Sequence, residues 1–303
     1  MTTPRLNPSQ IARLARFGAV ECVDVHCHVL PGLDDGPATI EDAIELCRML
    51  VEDGVTDVVA TPHQLGRYDR ANFAYTIREA VAALQARLDE EHVPLKVTPG
   101  ADVRMDERIT AMLDADEIVT LADRRRHLLL ELPHDTYIDP LPLIRLLGSR
   151  GIGSVISHPE RHEHVSRHPR LVAPWLAAGA MLQVTAGSLL GDFGSRAEQS
   201  AWDLLSGGQV RIIATDAHDT RRRPPRFSPA IDAIERRLGR EVARQVCIDG
   251  PARVLRPAQR ATTPEMKTTA GAATGSTGIA GETAGALWGR RARHVKRTMS
   301  SSN

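Results

Sequence analysis

The chain has 303 residues, and its 38 basic and 38 acidic side chains give a formal net charge of zero. This balance excludes proteins that attract nucleic acid by their overall charge. Hydrophobic residues make up 42% and charged residues 25%, which is typical of a globular protein with a buried core, whereas 3% aromatic residues are too few for a base-stacking surface. We therefore expect no nucleic-acid partner.

The cysteines and the N-terminus favour a cytoplasmic protein. Four cysteines in a chain of this length form neither a disulfide framework nor a zinc-knuckle pattern. The first 20 residues lack the continuous apolar core of a signal peptide, and no stretch reaches the ~18 apolar residues of a spanning helix. We predict a cytoplasmic location and no transmembrane segment.

Composition divides the chain into three parts. Residues 1–20 form an N-terminal extension that we expect to be helical, residues 21–256 form the folded body, and residues 257–303 form a tail. From 258 to 286, 21 of 29 residues are Ala, Thr, Gly or Ser, which offer little apolar surface to offset the entropy of ordering them. We predict that the tail is disordered and assign it no function.

Seven short apolar runs in the body have the composition of strands buried on both faces. They are 21–25, 57–61, 95–99, 128–132, 153–157, 181–185 and 210–214. Helical patterns separate them, and in the first of these Thr39 suits an N-cap and Gly54 a helix end. Repeated strand and helix units predict a parallel α/β fold, and seven units suggest closure into a barrel.

Polar side chains follow these strands at the point where each one ends. They are His26, His28, Asp34 and Asp35 for the first strand, His63 for the second, Asp102 for the third, Glu131 for the fourth, His158, Glu160 and Arg161 for the fifth, and Asp216 and His218 for the seventh. The carboxyl ends of parallel barrel strands open on one face, so these groups are expected to meet in one pocket. His26 and His28 are two residues apart, and side chains at that spacing on a strand point the same way.

So many imidazoles and carboxylates around one mouth would repel or desolvate one another without cations. Two or three divalent ions would satisfy them all, so we predict a multinuclear metal site. Nitrogen and oxygen ligands without thiolate suit Mn, Fe or Zn and do not distinguish among these metals.

The remaining histidines have weaker patterns. His162, His164 and His168 form the run RHEHVSRH, whose spacing gives no consistent face, so we predict a polar helix start near the pocket. No convergent partners are expected for His92, His127, His134 and His294.

These residues, in this order, resemble the PHP (polymerase and histidinol phosphatase) superfamily, and more narrowly the CpsB/YwqE type of manganese-dependent protein-tyrosine phosphatase of capsule and exopolysaccharide biosynthesis operons. The motifs are DVHCHVLPGLDDGP, ATPH, ELP, VISHPER, TAGSLLGDFG, and IATDAH followed by RRRPP. The resemblance covers roughly 23 to 255. It implies a distorted seven-stranded (β/α)7 TIM-like barrel, the PHP fold, with phosphoric monoester hydrolase activity and two or three divalent ions, Mn first.

Carried over residue by residue, the resemblance implies nine metal ligands and two arginines that grip phosphate. The implied ligands are His26, His28, Asp35, His63, Asp102, Glu131, His158, Asp216 and His218. The implied phosphate-binding residues are Arg161 and Arg223. His63 or His218 would supply a proton to the leaving group if it is not fully committed to metal.

One position departs from the family pattern. Where the family usually has a glutamate in the sequence GAE, this chain has Asp102, which is one methylene shorter. A bridging role at Asp102 needs the strand or the metal to move by about one C–C bond. We expect the substitution to affect metal choice and occupancy.

The resemblance also implies a phosphotyrosine protein as substrate, namely the tyrosine-rich tail of a membrane-bound kinase that drives polysaccharide export. Arg221, Arg222 and Arg223, with Arg67 beside Tyr68, would frame the pocket and attract an acidic phosphopeptide. An ordinary solvated loop is the other interpretation of Arg221 and Arg222.

Three alternatives to this function stay open. A small-molecule phosphoesterase of the same superfamily, such as a histidinol-phosphate phosphatase, uses the same metals. A binding module would keep the fold and lose the chemistry. The segment from Cys247 to Arg253 has the CX5R spacing of cysteine-based phosphatases, but the preceding residues have a helical pattern, so we expect a chance match.

Overall fold

The computed structural model describes residues 6–134 and 136–255. The predicted tail at 257–303, with His294, lies outside the described residues. Within the described part of the chain, no helix combines the length and the apolar character needed to cross a membrane.

Nine strands form two sheets in the described residues, and the strands within each sheet pair in parallel. The strands are β1 Val23–Cys27, β2 Asp57–Ala60, β3 His63–Gln64, β4 Lys96–Pro99, β5 Asp102–Arg104, β6 His127–Glu131, β7 Gly153–Ser157, β8 Met181–Thr185 and β9 Val210–Ala214. The three-stranded sheet has the order β1-β2-β4, and the six-stranded sheet has the order β3-β5-β6-β7-β8-β9.

Eleven α-helices accompany the strands in the described residues. They are α1 Pro8–Phe17, α2 Ile40–Glu52, α3 Ala74–Glu90, α4 Ile109–Asp114, α5 Leu141–Ser149, α6 Glu163–Arg167, α7 Val172–Ala177, α8 Ser195–Ser206, α9 Phe227–Leu238, α10 Arg240–Arg244 and α11 Gly250–Leu255. Short 3-10 turns occur at Leu121–Asp123, Pro159–Arg161, Pro169–Leu171 and Ala186–Leu190, and a π-helical turn at Gln245–Asp249.

Side-chain caps start two of the helices. The Thr39 hydroxyl accepts the N–H of Asp42 at the start of α2, as the sequence predicts. At α1, Asn7 and Gln10 form a reciprocal capping box. The buried Gln10 amide also donates to the carbonyls of Val55 and Pro94, each at 2.7 Å. These bonds tie α1 to the body, so the N-terminal segment is packed rather than free.

The α/β prediction with parallel strands is confirmed, but the closed barrel of seven strands is not. The second and third predicted strands each break, and their continuations β3 and β5 pair in the other sheet. Pro62 precedes β3 and has no N–H for a ladder. Gly100 precedes β5, and a Cβ there would lie 2.6 Å from the Cγ1 atom of Val59, so only glycine fits. These two breaks are the physical reason for nine strands.

Two buried apolar clusters hold the strands, and the smaller one lies beneath the strand ends. It includes Val25, Val59, Leu129, Val155 and Ile212. The larger cluster includes apolar residues of most of the helices. It also includes the strand residues that point to the opposite face of the sheet, such as Leu128 and Leu130. Successive strand side chains point to opposite faces, so Glu131 shares the face of Leu129. The polar groups at the carboxyl ends of the strands therefore lie next to the smaller apolar cluster.

Gly250, at the start of α11, gives a test of how closely this helix packs on β9. A Cβ at Gly250 would lie 1.8 Å from the carbonyl oxygen of Arg211, so Gly250→Ala has to move backbone. We expect a loss of roughly 3 kcal/mol or more in the free energy of unfolding, measured by urea denaturation. The matched control is Gly148→Ala, at an exposed position of α5 where the added Cβ would have no other atom within 4 Å. That control should be neutral or stabilising by about 0.5 kcal/mol; equal losses in the two variants would contradict the packing.

Candidate metal centre

The structure brings all nine predicted ligands into one cluster. Four groups of neighbouring histidines and carboxylates have donor atoms that lie within 4.8 Å of one another, and each group shares a residue with another. The groups are His28, Asp35, His63 and His218; His26, His28 and Asp102; His26, His158 and Asp216; and His63, Asp102 and Glu131. Residues from four strands, β1, β3, β5 and β6, thus meet residues from the loops after β1, β7 and β9.

Asp102 lies at the centre of the cluster. Its Oδ2 atom is 3.6 Å from the Nε2 atom of His26, 3.5 Å from the Nδ1 atom of His63 and 3.8 Å from the Nε2 atom of His158. Oδ2 is buried and accepts no hydrogen bond, whereas Oδ1 accepts one from the hydroxyl of Ser157 at 3.0 Å. A fully buried carboxylate oxygen faced by three imidazoles has surroundings that suit a metal ligand.

Asp216 forms a second centre, on the side of the two predicted phosphate-binding arginines. Its Oδ1 atom lies 3.3 Å from the Nε2 atom of His26 and 3.5 Å from that of His28. Its Oδ2 atom accepts hydrogen bonds from Arg161 and, at 2.7 Å, from Arg223. Both arginines therefore lie against the cluster.

Asp35 lies at the mouth with His63 and His218. Its Oδ1 atom is 3.5 Å from the Nε2 atom of His63 and 3.4 Å from that of His218. The Asp35 side chain is 48% exposed and that of His63 is 18% exposed, whereas His218 is buried. The cluster thus opens to solvent on the side of Asp35 and His63.

Glu131 is held by two residues for which the sequence predicted no role. Arg104 lies with its Nε atom 3.0 Å from Oε2 of Glu131, and the Nε2 atom of His134 lies 2.9 Å from Oε1. The prediction that His134 has no convergent partner is therefore wrong. Its position three residues after Glu131, just past the strand end, was the available signal.

Two further contacts orient the histidines, one from Asp34, which the sequence predicted at the pocket, and one from Gln183, which was missed. Asp34 accepts from the Nδ1 atom of His28 at 2.6 Å, and Gln183 lies 2.8 Å from the Nδ1 atom of His26. These contacts leave the Nε2 atoms of both histidines facing the cluster. Asp24 accepts the N–H of Thr215 at 3.0 Å and so joins β1 to the segment after β9. Asp24 and Gln183 are polar residues inside otherwise apolar strands, which was the signal for them.

The backbone is strained at two of the candidate ligands. His158 has φ of 32° and Asp216 has φ of 51°, in the left-handed region that non-glycine residues rarely adopt. Backbone hydrogen bonds fix the second, because the N–H of Asp216 donates to the carbonyl of His26 at 2.7 Å. Such strain aims a side chain in a direction that regular strand geometry does not provide.

Burial and charge set the ionisation of the cluster. Burial lowers the pKa of His26 to about 3 and that of His158 well below its usual value. Burial, reinforced by the charge of Glu131, raises the pKa of Asp102 well above its usual value. Burial also disfavours charge on Asp216, but the charges of His26, Arg161 and Arg223 outweigh it and lower the pKa of Asp216. Metal binding uses neutral imidazoles, the form that burial favours for His26 and His158, together with ionised carboxylates.

The cluster fits divalent metal ions in its chemistry and spacing. Donor atoms around one ion at bond lengths of roughly 2.1 Å lie about 3 to 3.5 Å apart, close to the separations between the nitrogens and carboxylate oxygens here. The Oδ2 atom of Asp102 and the Nε2 atom of His218 are buried without hydrogen-bond partners. Imidazole and carboxylate donors suit Mn, Fe and Zn.

The histidines of the run RHEHVSRH do not belong to the four groups of clustered donors. His162 is buried and its Nε2 atom lies 2.9 Å from the carbonyl of Pro133, while the ring of Tyr137 stacks on that of His164 at 4.3 Å. His162 is the N-cap of α6, so this run does begin a polar helix.

The cysteine-based alternative fails on geometry. Cys247 is fully buried in the π-helical turn, and burial raises the pKa of its thiol. Arg253, six residues later, is exposed. A neutral, buried thiol cannot act as a nucleophile on a phosphate ester.

Comparison with known proteins agrees with this site. The family described as "Capsular polysaccharide synthesis, CpsB/CapC" matches residues 22–256. The chain belongs to the CpsB/CapC family. The matched region contains all nine residues of the cluster and both arginines.

Individual relatives support the same assignment. The tyrosine-protein phosphatase YwqE of Bacillus subtilis (strain 168) is 32% identical over 223 residues, which cover 73% of this chain and 86% of YwqE. The putative tyrosine-protein phosphatase CapC of Staphylococcus aureus is 32% identical over 67% of this chain and 79% of CapC. The tyrosine-protein phosphatase CpsB of Streptococcus pneumoniae is 26% identical over 77% of this chain and 98% of CpsB.

A solved structure from the same family has the same fold. It is described as "Crystal structures of YwqE from Bacillus subtilis and CpsB from Streptococcus pneumoniae, unique metal-dependent tyrosine phosphatases". It superposes with a TM-score of 0.70 at 32% identity, over 73% of this chain and 89% of that one.

Asp102→Asn tests whether the cluster is built around cations. In metal-free protein, burial raises the pKa of Asp102, so this carboxyl group costs folding free energy at neutral pH whether it takes up a proton or stays charged. Asn removes this cost, so we expect the free energy of unfolding to rise by about 1 to 3 kcal/mol. The same variant should retain less metal after dialysis, measured by atomic emission. Asp114→Asn, at a carboxylate whose side chain is 63% exposed, is the control and should change neither quantity. A destabilised Asp102→Asn variant with full metal content would contradict this interpretation.

Proposed function

We propose that the chain is a metal-dependent protein-tyrosine phosphatase, a phosphoric monoester hydrolase. The observation that carries the proposal is the contact of Arg161 and Arg223 with Asp216, which places two guanidinium groups at the edge of a cluster suited to divalent ions. Family membership and the curated names of the relatives support the same activity.

The nine clustered residues would hold two or three divalent ions, with Mn as the first choice and Fe or Zn as alternatives. The proposed ligands are His26, His28, Asp35, His63, Asp102, Glu131, His158, Asp216 and His218. When bound, such ions supply Lewis acidity to the phosphate and lower the pKa of a water molecule.

The arginines of the chain would bind the phosphate group. Each guanidinium now donates to Asp216 and would exchange this acceptor for non-bridging phosphate oxygens, which are good bidentate partners. Arg161 is largely buried, so its hydrogen bonds are little weakened by solvent.

His63 is the better candidate of the two histidines for delivering a proton to the leaving tyrosyl oxygen. Its side chain is 18% exposed at the mouth, whereas that of His218 is 2% exposed. The Nδ1 atom of His218 lies 3.0 Å from the carbonyl of Asp216, which turns its Nε2 atom toward the cluster. His63 would deliver the proton in a state in which it does not bind metal, whereas His218 would stay a metal ligand.

The substrate in this proposal is a phosphotyrosine protein. Arg221 and Arg222 are exposed beside the mouth, and the guanidinium of Arg67 lies 5.6 Å from the ring centre of Tyr68, which itself stacks on His63. These groups would attract an acidic phosphopeptide. The tyrosine-rich tail of a membrane-bound kinase and the cytoplasmic location stay predictions.

We also infer that the two sheets are parts of one distorted barrel of seven strand units. Supporting this, the N–H of His28 donates to the carbonyl of Ala217 at 2.9 Å, beside the bond from Asp216 to His26. These bonds join the end of β1 to the segment after β9.

Substrate and metal dependence can be tested together on purified protein. We expect a phosphotyrosyl peptide to be hydrolysed faster than histidinol phosphate, with activity lost on chelation and restored by Mn. Faster hydrolysis of histidinol phosphate would replace the protein substrate with a small molecule. No hydrolysis of p-nitrophenyl phosphate with Mn, Fe or Zn would indicate a binding module. Cys247→Ser should retain full activity.

The variant Arg161→Ala tests whether Arg161 binds the phosphate group of the substrate. Loss of charge-assisted hydrogen bonds to phosphate should lower kcat/KM by about 100-fold. Arg196→Ala is the matched control, because Arg196 is 59% exposed nearby and pairs with Glu163. We expect less than about a threefold change there, since exposed ion pairs contribute little. Equal losses of kcat/KM in the two variants would mean that Arg161 does not bind the phosphate group.

A further inference from the structure

The loop between the 3-10 turn Ala186–Leu190 and α8 holds an aromatic ring at the mouth of the site. Gly191 and Gly194 each have φ of 85°, a conformation that favours glycine. The N–H of Asp192 donates to the carbonyl of Gly187, and that of Gly194 to the carbonyl of Gly191, each at 3.0 Å. The half-buried residue between these anchored positions is Phe193.

Side-chain contacts fix this loop from two further directions. The Asp192 carboxylate accepts from Nε and Nη2 of Arg226 at 3.1 and 3.3 Å. A Cβ at Gly187 would lie 2.9 Å from an Asp192 carboxylate oxygen and 3.2 Å from the Phe193 ring. The ring therefore packs closely against the backbone of Gly187 and has little freedom to shift.

Both predicted phosphate-binding arginines contact this one ring. The guanidinium carbon of Arg161 lies 4.4 Å from the ring centre of Phe193, and that of Arg223 lies 5.9 Å from it. The two arginines come from different segments, one after β7 and one after β9. Two like charges held this close repel each other, and an aromatic face attracts both.

A guanidinium can make hydrogen bonds and an aromatic contact at the same time. Its five N–H bonds lie in its plane, and its face is free to stack on an aromatic ring. Arg161 and Arg223 can therefore exchange Asp216 for phosphate oxygens as acceptors while each guanidinium stays against the ring of Phe193. A rigid ring would keep both cations in place during this exchange of acceptors.

We propose that Phe193 is a positioning residue that holds Arg161 and Arg223 together as one phosphate-binding unit. This inference rests on the proposed function for its role in catalysis, but the phosphate contact can be measured without turnover. Phe193 acts through the arginines and not through the tyrosyl ring of the substrate.

The test uses Phe193→Leu, Phe193→Met and Phe193→Tyr in the full chain loaded with Mn. Leu and Met lack a ring face, and Met stays close to Phe in volume; Tyr keeps the face. The matched control is Phe73→Leu, because Phe73 is 43% exposed and stacks on Tyr75. Thermal unfolding of each variant shows whether it is folded.

Binding of inorganic phosphate by isothermal titration calorimetry is the first measurement. We expect the Kd to rise about tenfold in Phe193→Leu and Phe193→Met, and to stay near the wild-type value in Phe193→Tyr and Phe73→Leu. The KM for p-nitrophenyl phosphate should rise by the same factor, with kcat changed less than about twofold.

Three outcomes would overturn the positioning role of Phe193. An unchanged phosphate Kd with a raised KM for aryl phosphates alone would mean that Phe193 contacts the substrate ring. A lowered kcat with unchanged Kd, or an equal loss in Phe73→Leu, would mean a general structural effect. If the wild type hydrolyses no phosphate ester but the difference in phosphate Kd is found, the proposed activity fails and the positioning role stands.

Discussion

Buried imidazoles and carboxylates that face one another at the carboxyl ends of the strands need positive charge between them, and the rest of the site depends on this requirement. Asp102 is fully buried, and its Oδ2 atom faces three imidazole nitrogens at 3.5 to 3.8 Å without accepting a hydrogen bond. A carboxylate in this position is costly alone and favourable beside a cation. The apolar cluster beneath it excludes solvent and strengthens both effects.

Asp216 connects the histidine cluster to the two arginines. One carboxylate oxygen faces His26 and His28, and the other accepts from Arg161 and Arg223. The positive φ of Asp216 and the bond from its N–H to the His26 carbonyl fix this side chain between the two sets. In the proposed function, the two carboxylate oxygens of Asp216 would hold metal cations on one side of a bound phosphate and guanidinium groups on the other.

Much of the site could be predicted from sequence because it depends on strand ends, which local patterns reveal. Glu131 and Asp102 follow from apolar runs that stop at a polar residue. The breaks at Pro62 and Gly100 depend on which strands pair, so the sequence predicted seven strands where the described residues form nine. The contacts of Gln183 with His26 and of His134 with Glu131 depend on register and side-chain direction, which a single sequence does not reveal.

The most direct test of the account is the position of the metal ions. Crystals grown with Mn and measured at the manganese absorption edge would reveal each ion by its anomalous scattering. We predict two or three anomalous-difference peaks within the cluster, each at roughly 2.0 to 2.5 Å from donor atoms such as Oδ2 of Asp102 and Nε2 of His218. Ordered ions elsewhere on the chain, with none among these residues, would contradict it.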